Sequence, residues 1–198
     1  RVIVMRSAAG DLLPLRPERW LGEADGAEAR LLGTVVGPVL DVGCGPGRVV
    51  SALSRRGIPA LGVDPAPAAI DLARGRGAAV LQRSVFDRLP GEGRWRTIVL
   101  LDGNVGIGGD VLRLLLRCRS LIAADGTVLV ELEGPGSGIR RCQVRLECDA
   151  ETGPWFPWAV VGVDAIGGLA AGAGLRLADV ETAAGRWVAR LECNHAVA

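Results

Sequence analysis

Short apolar runs alternate with segments of helical period along this chain, and the alternation predicts its elements in order. Over residues 17–32, Trp20, Ala24, Ala27 and Leu31 recur on one helical face, and Pro17 suits a first turn. Gly33 and Gly37 end that helix. Residues 39–42 then read as a short buried strand and 48–56 as a helix. A second strand, 60–63, ends at Asp64, and a helix with proline near its start covers 67–74. Residues 78–81 and 97–101 read as third and fourth strands, the fourth ending at Asp102. Asp110 caps a helix through about Ile122. Asp125-Gly126 turns the chain into a fifth strand, 127–132.

Strands alternating with helices predict right-handed crossovers and a parallel sheet. Runs such as "TIVLL" and "TVLVEL" are almost continuously apolar, as strands covered by helices on both faces are. The pattern changes after Gly138. In "RCQVRLEC", Cys142, Val144, Leu146 and Cys148 alternate with Gln143, Arg145 and Glu147, which predicts a half-exposed additional strand. An aromatic, proline-rich loop follows, "GPWFPW", and then a helix from about Val161. The tail predicts a hairpin turning near Ala184-Gly185, with Trp187, Ala189, Leu191 and Cys193 facing inward. With no repeats and no low-complexity linker, residues 1–198 read as one domain. It carries an N-terminal helical cap over 1–36 and an insertion over 139–160.

Composition narrows the classes. Hydrophobic residues make up 49% of the 198 positions, enough for a full α/β core. No apolar run spans a bilayer, and the first residues lack a basic-then-apolar signal pattern. The first residue is Arg1 rather than methionine. The formal net charge is +1, and every one of the 23 basic residues is arginine. Near-zero charge argues against general nucleic-acid binding. Five scattered cysteines without a CxxC pair, and one histidine, His195, argue against a closed metal site and read as reduced thiols in a cytoplasmic protein.

The segment "DVGCGPGR", residues 41–48, carries the chemistry. Glycines at 43, 45 and 47 strip the side chains from a turn that a ligand must approach closely. A phosphate-binding P-loop needs lysine, and the chain has none. A dinucleotide fingerprint starting at Gly43 needs a third glycine at position 48, which is Arg48.

"VLDVGCGPGR" followed by "LGVDPAPAAIDLAR" resembles the first two motifs of class I S-adenosylmethionine-dependent methyltransferases. The resemblance implies a Rossmann-like sheet of seven mostly parallel strands, the last antiparallel, with helices on both faces. It implies S-adenosyl-L-methionine as cofactor. Amides at Gly43, Cys44, Gly45 and Gly47 would receive the donor's carboxylate, and Asp41 would hold its ammonium. Asp64 would accept both ribose hydroxyls, with Pro65 and Ala66 flanking adenine. In "RSVFDRLP" the family's usual acid is missing, so Ser84 and the backbone at Val85 and Phe86 are expected at the adenine, with Phe86 packed on it or simply in the core. Asp87 reads as an exposed turn residue.

The same resemblance sets "LLDGNVGIGGD" beside the sulfonium and the acceptor. Asp102 would meet the donor's cationic groups or act as a base, and Asn104 would orient the acceptor. Asp164 and His195 are the other candidate bases. Trp155, Phe156 and Trp158, together with Trp20, are expected to roof the acceptor pocket. The reading is methyl transfer to a small-molecule acceptor, with no nucleic acid or membrane as partner. An NAD(P)-dependent reductase and a non-catalytic donor-binding module stay open as alternatives.

Overall fold

A computed structural model describes residues 3–194 apart from positions 14, 16, 25, 150 and 184. The chain enters as two short strands, β1 (Ile3–Ser7) and β2 (Leu12–Leu13), then helices α1 (Pro17–Leu21) and α2 (Gly26–Leu31). The alternating part follows as β3 (Val39–Val42), α3 (Arg48–Arg55), β4 (Ala60–Asp64), α4 (Pro67–Gly75), β5 (Val80–Gln82), β6 (Trp95–Leu100), α5 (Val111–Leu121) and β7 (Ile122–Leu132). It ends with β8 (Ile139–Cys148), β9 (Glu151–Thr152), β10 (Phe156–Val161), α6 (Ile166–Gly172), β11 (Leu175–Ala183) and β12 (Arg186–Cys193).

Seven strands form one sheet in the order β11-β12-β7-β6-β3-β4-β5. Neighbours from β7 to β5 pair in parallel, and β12 runs antiparallel to both β7 and β11. Alternation along each strand feeds two separate cores. Val39, Val99, Leu101 and Leu129 pack with Leu31 and Leu32 and with Val49 and Leu53 of α3. Leu40, Val42, Ile98, Leu100, Val128 and Val130 pack with α5 and α6. Burial on both faces is why these strands carry no polar alternation.

A second, antiparallel sheet runs β10-β8-β1-β2, with β9 on β8. Two expectations change here. The aromatic loop is the edge strand β10; Phe156 pairs with Val144 and Trp158 with Cys142, and Pro157 is tolerated because an edge strand can spare an N–H. The late helix accordingly starts at Ile166. The insertion joins the N-terminus, since residues 144–148 of β8 pair with β1 and Arg6 reaches Glu147 at 2.9 Å.

Two further corrections are local. The expected helix over 17–32 is broken in two. The Gly22 amide folds back on the Glu18 and Arg19 carbonyls, and the Arg76 guanidinium collects the carbonyls of Trp20, Leu21 and Gly22. A helix end held by such a cation gains its missing partners. The turn expected at Asp125-Gly126 is instead an irregularity inside β7, between the pairs Trp95–Ile122 and Thr97–Thr127. Asp110 caps α5 as the sequence predicts, accepting from the Arg113 amide at 3.1 Å.

The second sheet meets the first where β6 ends. A Cβ at Gly106 would lie 2.0 Å from the Ala159 carbonyl oxygen and 2.8 Å from the Trp158 indole. Gly106→Ala is therefore expected to lower the melting temperature by several degrees, through a cost of roughly 1–3 kcal/mol for overpacking. Gly168→Ala in α6, where a Cβ meets nothing within 4 Å, is expected to leave melting unchanged or raise it. Thermal unfolding of the two variants checks the pair.

Candidate functional site

The loop after β3 turns on left-handed backbone at Gly43, Gly45 and Gly47, with φ of 73°, 50° and 78°. Each glycine meets different surroundings. A Cβ at Gly43 would strike the Asn104 amide, and one at Gly47 would press on Ala73 and Ala78, but one at Gly45 would meet nothing within 4 Å. The open approach is thus over Gly45. The loop's N–H groups all have acceptors within the protein. Gly43 and Cys44 donate to the Val63 carbonyl, Gly45 to Asp64 and Gly47 to the Cys44 carbonyl. The Cys44 thiol is buried and fills the space left by Gly62. Burial pushes its pKa up, and the Asp41 and Asp64 carboxylates add to the rise.

Carboxylates surround this loop. Asp64, at the end of β4, accepts the Gly45 amide at 3.0 Å on one oxygen and the Ala66 amide at 2.9 Å on the other. Each oxygen keeps a further acceptor site, aimed by those two bonds. Pro65 and Ala66 are exposed beside it. Asp41, in β3, is 3% exposed, and its Oδ2 has no hydrogen-bond partner among the described residues. Burial, then the charges of Asp102 and Asp64, push its carboxyl up to about 8.

Asp102 follows β6 in left-handed backbone, φ 54°, and belongs to a cluster of six charged side chains. Its Oδ2 accepts from Arg48 at 2.5 Å, while Arg19 and Arg186 lie 3.6 and 3.8 Å from Oδ1. Arg48 also pairs with Glu28, which is completely buried on α2. Glu131 of β7 accepts the Asp102 amide at 2.6 Å and two nitrogens of Arg186. Burial works to raise the Glu131 pKa, but the Arg186 hydrogen bonds and charge overcome it and hold the carboxyl low. Asp102 is therefore held by guanidinium groups rather than standing as an unengaged base. Asn104 donates its amide to the Val42 and Gly43 carbonyls, both at 2.9 Å, so it ties the end of β3 to the turn after β6.

The segment after β5 is a closed turn. Ser84 accepts the Phe86 amide, Asp87 accepts the Ser84 amide from an exposed position, and Arg117 takes the Val85 carbonyl at 2.9 Å. Val85 is buried. Phe86 packs against the core, with the Arg113 guanidinium 4.2 Å above its ring. The aromatic residues do not share one face. Phe156 and Trp158 share a sheet face and an edge-on contact, 6.1 Å between ring centres, and Trp158 borders the Gly103–Gly106 turn. Trp155 is 46% exposed and stacks on Arg145, which lies on the other face of β8. Trp20 sits in α1, whose end Arg76 holds. A cavity of about 450 Å³ adjoins Trp158, lined among others by Gly108, Asp110, Arg141 and Gln143. Asp164 is exposed on the turn before α6, and His195 lies outside the described residues.

Residues 18–180 match the sequence profile of a family described as methyltransferase domain. The chain belongs to the methyltransferase domain family. Its sheet order and antiparallel penultimate-position strand β12 are those of the class I S-adenosylmethionine-dependent fold. A 2-heptyl-1-hydroxyquinolin-4(1H)-one methyltransferase of Mycobacteroides abscessus is 40% identical over 75 residues, 37% of this chain. That match spans about a third, 33%, of the relative's length. A methyltransferase from Bacteroides fragilis, solved with S-adenosyl-L-homocysteine, superposes with a TM-score of 0.79 at 21% identity, covering 96% of this chain and 87% of that one. The 1,6-didemethyltoxoflavin-N1-methyltransferase of Burkholderia thailandensis superposes with a TM-score of 0.66 at 18% identity, covering 90% and 82%.

Within this methyltransferase domain, sequence reasoning missed Arg19, Glu28, Glu131 and Arg186. Glu131 carried a signal, as the one charge in the apolar run "TVLVEL". Glu28 shares the helical face of Ala24 and Leu31, where an acid needs a buried partner. Arg19 and Arg186 gave no local signal.

Among the described residues no group of three or more His, Cys, Asp or Glu side chains is arranged to hold a metal, and no helix is long and apolar enough to cross a membrane. The Asp41 carboxyl yields a pH test. Its pKa is raised by folding from 3.8 to about 8, so its contribution to stability is complete below about 4 and is lost as pH rises through about 8. Melting of the ligand-free protein is expected to fall across that window, and Asp41→Asn is expected to remove that part of the slope. Parallel melting curves for the two proteins would contradict the assignment.

Proposed function

We propose that this chain transfers the methyl group of S-adenosyl-L-methionine to a small organic acceptor. One observation carries the reading: Asp41, Asp64 and Asp102 converge on a glycine loop that is open over Gly45. Ionised Asp64 and Asp102, with Asp41 able to release its proton to an approaching cation, favour a ligand bearing cations and hydroxyls over a phosphate. The residues fit such a donor. Asp64 offers two oriented oxygens to a ribose diol, and Asp41 offers a buried oxygen, Oδ2, with no partner among the described residues, suited to an ammonium or its bridging water. Arg48 fills the place of the third glycine of a dinucleotide site, which counts against the reductase alternative.

When bound, S-adenosylmethionine supplies a methyl group on a sulfonium that a nucleophile displaces in line. The chain's task is then to hold and orient. With the loop amides engaged, the donor's carboxylate is assigned to Arg19, the most exposed guanidinium of the cluster. Asp102 borders the cationic end of the donor, and Asn104 fixes the loop rather than the acceptor. The Ser84–Phe86 turn supplies the adenine edge. Phe156 and Trp158, on the sheet face beside the Gly103–Gly106 turn, supply an apolar wall for the acceptor; Trp155 stands outside it. The relatives named for a quinolinone and for didemethyltoxoflavin support a small-molecule acceptor.

S-adenosylhomocysteine is expected to raise the melting temperature, and NADPH to leave it unchanged. Asp64→Ala should weaken S-adenosylhomocysteine by roughly 10- to 100-fold in calorimetry, the loss of hydrogen bonds to a charged group. Stabilisation by NADPH alone, or parent-like affinity in Asp64→Ala, would refute the donor site. Product formation with a panel of small aromatic acceptors, reduced by Trp158→Ala at unchanged S-adenosylhomocysteine affinity, tests the transfer itself.

A further inference from the structure

Arg48 opens α3 directly after Gly47 and is only 5% exposed. Its two terminal nitrogens reach different acids: Nη1 pairs with Glu28, and Nη2 lies 2.5 Å from Asp102 Oδ2. Glu28, with no exposed surface, cannot follow its partner outward, so it fixes the guanidinium in place. Asp102 is pulled from two sides. Arg48 holds Oδ2 closely, while Arg19 and Arg186 face Oδ1 from 3.6 and 3.8 Å. The backbone contributes as well, for Asp102 adopts left-handed φ and its amide is pinned to Glu131. Left-handed backbone in a residue with a Cβ persists where its surroundings over-determine it. The cluster holds three arginines (19, 48, 186) and three acids (28, 102, 131), so its formal charges cancel.

We propose that Arg48, anchored by Glu28, is a positioning residue that keeps the Asp102 carboxylate at the sulfonium edge of the donor site. It thereby sets the preference for the positively charged donor over its neutral demethylated product. The inference rests on the donor reading above. Without Arg48 the carboxylate swings toward Arg19 and Arg186, which draw it from the opposite oxygen. A carboxylate near a sulfonium favours the charged ligand and leaves a neutral thioether almost unaffected.

The paired substitution Glu28→Met with Arg48→Met tests this. It removes one acid and one base, so the charge sum of the cluster stays the same while Asp102 loses its closest partner and Arg19 and Arg186 lose their contacts with Glu28. Exchanging a buried ion pair for apolar side chains of similar length is commonly tolerated, whereas breaking it from one side is not. Calorimetry with S-adenosylmethionine and S-adenosylhomocysteine gives the readout. In the double variant the sulfonium ligand is expected to weaken by about tenfold or more and the thioether by less than about threefold. Asp102→Asn keeps a residue that tolerates left-handed backbone and leaves the Arg48–Glu28 pair intact. It is expected to give the same selective loss, and its failure to do so overturns the proposal should the double variant not fold. Equal weakening of both ligands, or parent-like affinities in a folded variant, overturns the proposal. A parent protein that binds neither ligand refutes the donor reading itself.

Discussion

Carboxylates gathered at the end of a parallel sheet repel one another, and each must find its own compensation. Asp64 receives two backbone amides, and Asp102 receives guanidinium groups led by Arg48. Asp41 is buried with no partner on Oδ2 among the described residues and carries its proton to about pH 8. This unequal compensation is the constraint on which the rest depends. It leaves a site whose electrostatics suit a cation, beside a loop whose open side lies over Gly45.

The compensation also organises the fold. The cluster at Asp102 draws on α1, α2, α3, β7 and β12, so residues from Arg19 to Arg186 meet beside one loop. Burying charges costs free energy that ion pairs recover only in good geometry. The cluster therefore specifies an arrangement more than it stabilises one. The second sheet is positioned by a different means, the contact of Ala159 and Trp158 with Gly106, which sets an apolar face beside the turn that carries Asp102.

Much of the parallel sheet was legible in the sequence because its information is local. Near-continuous apolar runs mark strands buried on both faces, and acids at their ends mark the opening of the site. The Asp110 cap and the terminal hairpin were legible for the same reason. What failed was pairing across long separations. Nothing near Ile3–Ser7 announces Cys148, and the β10 segment reads as a loop until β8 is beside it. The break between α1 and α2 depends on Arg76, more than fifty residues on. In the site, Asp41, Asp64 and Asp102 were legible from their positions after apolar runs. The direction of the loop amides was not, since it follows from the carbonyl of Val63 on the neighbouring strand.

A crystal structure of the protein with S-adenosylhomocysteine tests the central claim most directly. The account requires the ribose hydroxyls on the Asp64 carboxylate, with the amino-acid end over Gly45 and beside Asp102. A nucleoside lodged elsewhere, such as in the arginine-lined groove of Arg83, Arg88 and Arg94 beyond β5, would contradict it.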